Sequence, residues 1–397
     1  MSAQVGLRKP KCKNGLFAMT TDTLLLSIVC RSSSRDGPSG YVYTLDLGRR
    51  QVTGRSSVIE PPHFRHDENP RGGMRGARGI AVVDDHVFIA NFSGIHRFDS
   101  AWRLIGAMSH PSCADIHDVR FREGRLWVTS TRNDLIFEFG LDGDIHQCLD
   151  LRNFRELGTT LHGKEPRYLT DTDIFSGTTD FRDPRSHDRL RSDSMHVNSV
   201  CFLPDGAMLI LLGRLRPSPT AFLPAFKAAL ERCGWWTPLL RASRTLLQKL
   251  YLEKTRVTRE AVDLLTGQAA IVRIGLDGKF SIPLMLHRAT HPAHSLYAQQ
   301  DGTVLFNDTT TAEIVHLDPN THAVLSRMKV AGPFLRGIAR LANDLTVVGN
   351  QNHLYVIDLP KQVIVDQIQI SEDPQEDIFD IKVLPPSFQP LPERLVP

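Results

Sequence analysis

Short apolar runs recur along most of this chain, each opened by a polar, charged or aromatic residue, and most close on a turn signal such as Asp-Gly. "HVNSVCFLPDG", His196 to Gly206, is one of them. "HSLYAQQDG", His294 to Gly302, matches it without a gap, so His294 falls under Asn198 and Asp301-Gly302 falls under Asp205-Gly206. "HDVRFREG" from His117, "RGIAVVDD" from Arg78, "RGIARLAND" from Arg336 and the weaker "FDIKVLPP" from Phe379 complete the set. The segment after each run also repeats, as in "RLWVTSTRNDLIFEFGLDG" and "TVLFNDTTTAEIVHLDP". There an apolar strand leads through a small polar turn into an alternating strand and then an Asp-containing turn.

Self-similarity at about 40 residues, with four short strands to a unit, is the pattern of propeller blades. The spacing therefore predicts an all-β, six-bladed β-propeller with inner strands opening at Arg78, His117, Asn198, His294, Arg336 and Phe379. The outer strands for the Phe379 blade come from the N-terminal "GLFAMTTDTLLLSIV", so the two ends of the chain are expected to share one blade and close the ring. The whole chain, 1–397, then reads as a single propeller domain with two insertions. One, 150–195, is polar and turn-rich and ends at His196, which fits a lid over the propeller face. The other, 214–266, has helical periodicity broken at Gly234 and Pro238, with Trp235 and Trp236 at the break. A helical hairpin packed on the propeller is the plain expectation for it. Contact with a protein partner, a second copy or, with less support, a membrane surface are the alternatives.

Composition narrows the function classes. The hydrophobic share of 41% suits a sizeable core, and a net charge of only +3 gives no case for nucleic-acid binding. The six cysteines are scattered without CxxC spacing, which favours reduced thiols and a cytoplasmic location. The N-terminus has no convincing signal-peptide core, and no run approaches the roughly 18 apolar residues of a spanning helix.

In a propeller the inner strands line a central channel, so their opening residues face one another in blade order: Phe379, Arg78, His117, Asn198, His294, Arg336. His196, two residues before Asn198, shares its strand face if the strand reaches that far. Three convergent imidazoles, His117, His196 and His294, suit a divalent transition metal, zinc or iron first. Arg78 and Arg336 are placed to hold an anionic group, and Asn198 to orient a ligand. Asp118, Glu376 and Asp377 are the acids within reach of those arginines by sequence. Arg75, in "RGGMRGARG", is a further candidate for the same anion. The plain alternative is a polar, water-filled channel whose histidines are hydrogen-bonded core residues.

"ADIHDVRF", "EGRLWVTSTR", "MHVNSVCF", "HPAHSLYA" and "FLRGIARL" resemble motifs of an uncharacterised bacterial propeller family, over Gly72 to Asp358 apart from the helical insertion. That family implies the fold and no settled activity. More distantly, the arrangement is similar to the peptidylglycine amidating lyases, which hold a catalytic zinc with three histidines from different blades. His117, His196 or Asn198, and His294 match that pattern by position and type. The gluconolactonase and regucalcin group, with its Glu, Asn and Asp ligands, is matched at Asn198 alone. The resemblance implies a metal-centred propeller rather than either substrate. Taken together, these readings point to a metal-dependent lyase or hydrolase acting on a small anionic molecule at the channel mouth. A non-catalytic propeller binding a ligand or protein partner is the alternative, and an iron or copper redox enzyme is a third.

Overall fold

A computed structural model of the chain describes residues 22–31, 37–67, 74, 76–151, 167–169, 179–186, 195–215, 267–330, 332 and 334–395. Among these, the strands in chain order are β1 (Thr23–Cys30), β2 (Gly40–Asp46), β3 (Gln51–Ser57), β4 (Ile80–Val83), β5 (His86–Ala90), β6 (Gly94–Asp99) and β7 (Leu104–Ser109). Next come β8 (Ile116–Arg122), β9 (Arg125–Ser130), β10 (Leu135–Gly140), β11 (Ile145–Asp150), β12 (Arg167–Leu169), β13 (Val197–Phe202), β14 (Met208–Leu215), β15 (Gln268–Ile274) and β16 (Phe280–His287). The rest are β17 (His294–Ala298), β18 (Val304–Asp308), β19 (Glu313–Asp318), β20 (Ala323–Lys329), β21 (Leu335–Arg340), β22 (Thr346–Asn350), β23 (His353–Asp358), β24 (Val363–Gln369) and β25 (Glu376–Leu384).

They form six antiparallel sheets. Five run in sequence order from the inner strands β4, β8, β13, β17 and β21, and the sixth is ordered β25-β1-β2-β3. The C-terminal strand is thus the inner strand of a blade whose other strands come from the N-terminal part of the chain. The inner strands neighbour one another as β4, β8, β13, β17, β21, β25 and back to β4, which closes the ring. Alternating side chains bury both faces of every blade, and the apolar clusters lie between consecutive blades. Leu24 and Leu26 pack with Val347 and Leu354 across one junction, and Phe88 packs with Phe137 across another.

The expected loop at 150–195 contributes a fifth strand, β12, hydrogen-bonded to β11 with Asp150 opposite Arg167. Most of that insertion, and all of 216–266 where the helical pair is expected, lies outside the described residues. Helical geometry among the described residues is confined to short 3-10 turns, and no described helix is long and apolar enough to cross a membrane. Cys30, Cys113, Cys148 and Cys201 are buried.

A shared device of the inner strands ties the blades together and positions the ring. At four of the six junctions the side chain of the residue after the ring residue reaches across to the backbone of the next blade. Asp118 accepts the Val200 N–H at 3.1 Å and the Ser199 hydroxyl. Ser199 accepts the Leu296 N–H at 3.0 Å, Ser295 the Gly337 N–H at 2.9 Å, and Asp380 the Ile80 N–H at 2.9 Å. At the remaining two junctions this position is glycine. A Cβ on Gly79 would lie 2.7 Å from the Val119 nitrogen, and one on Gly337 (φ +66°) 2.6 Å from the Ile381 side chain. Blades meet there by close approach in place of a hydrogen bond.

Candidate functional site

Each ring residue sits at a break in its strand's pairing. The register shifts between Ile116 and Val119, between Val197 and Ser199, between His294 and Tyr297, and between Arg336 and Ile338. Phe379 is left unpaired between Ile378 and Asp380. Arg78 and Gly79 share Ala90 as a common partner, the same bulged pattern. A bulge inserts one residue and re-aims side chains, which turns the ring residues toward the axis. Two positions earlier, four of the blades carry a left-handed residue: Gly76 (φ +117°), Asp115 (φ +57°), His196 (φ +51°) and Phe334 (φ +72°). His196 is therefore the counterpart of Asp115, and both turn back toward the ring.

The imidazoles do come together. The His117 ring lies 5.1 Å from that of His196, edge on, and 5.9 Å from that of His294, with parallel planes. His117 Nδ1 is 2.9 Å from the Asp115 carbonyl oxygen and 2.9 Å from Thr131 Oγ1. A carbonyl can only accept, so Nδ1 carries the proton and donates. The Thr131 hydroxyl donates onward to the Val197 carbonyl at 2.5 Å. The free lone pair of His117 is thus on Nε2. Burial holds the pKa of His117 well below the ordinary histidine value, and Arg78, His196 and Arg336 add to it. The same cause, with Arg336 as its largest charged neighbour, depresses His294. Both rings are neutral at neutral pH.

Phe379 forms a wall shared by the charged and neutral members. Its ring is 5.3 Å from His117 and 6.5 Å from His294, with the Arg336 guanidinium at 4.6 Å and that of Arg78 at 5.5 Å. The acids expected to partner the arginines are used elsewhere. Asp118 pairs with Arg120, Glu376 with Arg55 and Asp377 with Arg31, because each is carried toward a neighbour on its own blade. Arg78 pairs instead with Asp115, at 2.7 Å, which the left-handed backbone swings over the ring. Arg336 has no hydrogen bond or ion pair among the described residues, and its Nε is buried without a partner. Burial, then the nearby Arg31, pushes its pKa down to about 9, so it remains a cation at neutral pH. Of the guanidiniums of Arg31, Arg78 and Arg336, the last is the one that makes no ion pair among the described residues, and Asp377 and Asp115 act on it only from a distance.

Asn198 is 2% exposed, and its Nδ2 donates to the Ala293 carbonyl of the next blade. Its Oδ1 is buried and has no partner among the described residues. The chemistry of these donors, neutral imidazoles with an open Nε2 and an orphaned amide oxygen, is that of a first-row metal site. Their placement does not fit one as it stands, since no three His, Cys, Asp or Glu side chains among the described residues are arranged to hold a metal ion.

Sequence reasoning missed Asp115 and Thr131, and also a second layer further along the same strands. Asp118 pairs with Arg120 at 3.0 Å and Asp380 with Lys382 at 2.6 Å, and Arg120 donates to the Leu296 carbonyl. This layer is balanced in charge. Its signal was present as Asp-Val-Arg and Asp-Ile-Lys in two of the inner strands. Arg75 lies outside the described residues. The described part of the 150–195 insertion brings Phe181 against the cluster of Phe64, Met74, Phe92 and Ala114, and the Arg78 guanidinium lies 5.5 Å from the Phe92 ring.

No protein-family model matches the chain, and no curated protein matches it. Similar solved structures include a protein of unknown function from Bacteroides caccae (9% identity, 91% of this chain and 98% of that one, TM-score 0.49). A nidogen/laminin complex (12% identity, 90% and 97%, TM-score 0.48) and a virginiamycin B lyase from Staphylococcus aureus (10% identity, 89% and 90%, TM-score 0.43) are others. At these levels none of them carries an argument about the chemistry of this ring.

Proposed function

We propose that the chain is an enzyme of the lyase or hydrolase type, acting on a small anionic molecule at the mouth of its central channel. The observation that carries this reading is Arg336, a cation that makes no ion pair or hydrogen bond among the described residues, beside two neutral imidazoles. A buried unpaired charge is costly, and proteins keep one where a ligand of opposite charge completes it. A carboxylate or phosphate would meet the guanidinium, with Arg78 and Asp115 behind it as an already neutral pair.

His117 supplies the reactive group. Its Nδ1–H is held, so Nε2 is free to take a proton from the substrate or from water. Loss of a proton beside a carboxylate, or attack of water on a carbonyl, builds negative charge. The Arg336 guanidinium is positioned to stabilise that charge. Phe379 excludes water from one side and strengthens both interactions.

Turnover is the test. The full-length chain would be assayed against small anionic esters, lactones and β-substituted carboxylic acids, alone and with zinc, iron or manganese. Activity that falls about 100-fold or more in both His117→Gln and Arg336→Gln supports the reading. Anion binding without turnover would make the chain a non-catalytic ligand-binding propeller. A zinc or iron ion on His117, His196 and His294 is a separate proposal, and it requires the three rings to rearrange from the positions described. Elemental analysis of protein purified without chelator, against His117→Ala and His294→Ala, tests it directly.

A further inference from the structure

Asn198 carries more information than a polar ring position would. Its Nδ2 donates to the Ala293 carbonyl, which can only accept, so the orientation of the amide is fixed. The atom left over is Oδ1, enclosed and without a partner among the described residues. The fit is tight on the other side as well. A Cβ on Gly213 would lie 2.1 Å from Asn198 Nδ2 and 2.8 Å from the Ala293 oxygen, so the backbone there admits glycine alone. The bulge in β13 leaves Asn198 outside the strand ladder, free of any pairing role of its own.

An amide oxygen accepts and cannot donate. What completes it must therefore bring an N–H or O–H. Leaving such an acceptor buried and unmet costs about 1–3 kcal/mol. In blade order the side chain stands between His117 and His294, and Arg336 follows His294. An open acceptor and an open cation are thus separated on the ring by one imidazole.

We infer that the substrate is a small carboxylate bearing a hydroxyl or amino group next to its acid, with the acid on Arg336 and the hydroxyl or amino hydrogen on Asn198 Oδ1. The inference rests on the anionic-substrate reading above and names the class of molecule. Placed so, the hydroxyl or amino group stands in blade order between His117 and His294. A carboxylate lacking the donor would satisfy Arg336 and leave Oδ1 unmet. A single ordered water would satisfy Oδ1 equally well, and would then give no preference among acids.

Calorimetric titration of the full chain with acetate and with glycolate, which differ by one hydroxyl, separates these outcomes. Glycolate is expected to bind about ten-fold more tightly than acetate, or better. In Asn198→Leu that ratio should fall to near one while acetate affinity stays within about three-fold. Should that variant fail to fold, Asn198→Gln, which keeps the amide and displaces its oxygen, is expected to collapse the ratio in the same way. A ratio near one in the unaltered protein, with both acids bound and both lost in Arg336→Gln, would overturn the inference and leave the anion site standing. Failure of both acids to bind would overturn both.

Discussion

His117 Nδ1 lies 2.9 Å from the carbonyl oxygen of Asp115, two residues earlier on the same blade, and this contact fixes which imidazole nitrogen is open to the channel. The Thr131 hydroxyl shares the same proton and ties it to the Val197 carbonyl of the next blade. Thr131→Val is expected to lose about 1–2 kcal/mol of stability, since a buried carbonyl loses its donor. Nitrogen-15 NMR of the imidazole should show the Nδ1–H tautomer in both proteins, because the Asp115 carbonyl remains. An Nε2–H tautomer in the unaltered protein would contradict the assignment.

Arg336 makes the opposite prediction for stability. Its cation makes no ion pair or hydrogen bond among the described residues, so replacing it with an apolar side chain of similar length removes a penalty. Arg336→Met is expected to raise stability by about 1–4 kcal/mol while abolishing anion binding. A structural arginine would behave in the reverse sense. Denaturant unfolding with a parallel binding assay checks both halves.

Acid should weaken the fold. His117 and His294 have folded-state pKa values well below 6.5, and burial lowers that of His96 to about 4. Below about pH 6.5 the unfolded chain takes up protons that the folded chain refuses, so stability rises with pH through that window and falls on acidification. It is fully present above pH 6.5 and is progressively lost as pH drops toward the folded values. Unfolding free energies at pH 7.5 and pH 5.5 measure the slope, and His117→Gln is expected to make it shallower.

His196 sits at φ +51°, where a side chain costs about 1–2 kcal/mol over glycine. His196→Gly should therefore be more stable than His196→Ala by about 1 kcal/mol. Thermal unfolding of the two variants decides it, and equal stability would mean that the backbone relaxes to another conformation.

Much of this was legible in the sequence because the chain repeats itself. One strand opening with His196 and Asn198 says little, but six matched openings fixed the register that puts His117, Asn198, His294, Arg336, Arg78 and Phe379 on one ring. The blade shared by β25 and β1 to β3 was legible for the same reason. Asp115 was not, because its role depends on a left-handed backbone that swings its carboxylate to Arg78. Asp118 and Asp377 looked equally placed by sequence distance, and only the pairing within their own blades sends them to Arg120 and Arg31. Thr131 acts across a blade junction, which no local pattern encodes. The Asp118–Arg120 and Asp380–Lys382 layer was written as a two-residue spacing in the quoted strands, and it has meaning only once the inner strands are set side by side.

Binding of acetate and inorganic phosphate to the full-length protein and to Arg336→Gln, followed by calorimetry at neutral pH, tests the central claim most directly. The expected result is stoichiometric binding of at least one of these anions to the unaltered protein and its loss, by about 100-fold or more, in a variant that remains folded. Undiminished binding in the folded variant, or no binding of either anion to the unaltered protein, would contradict it.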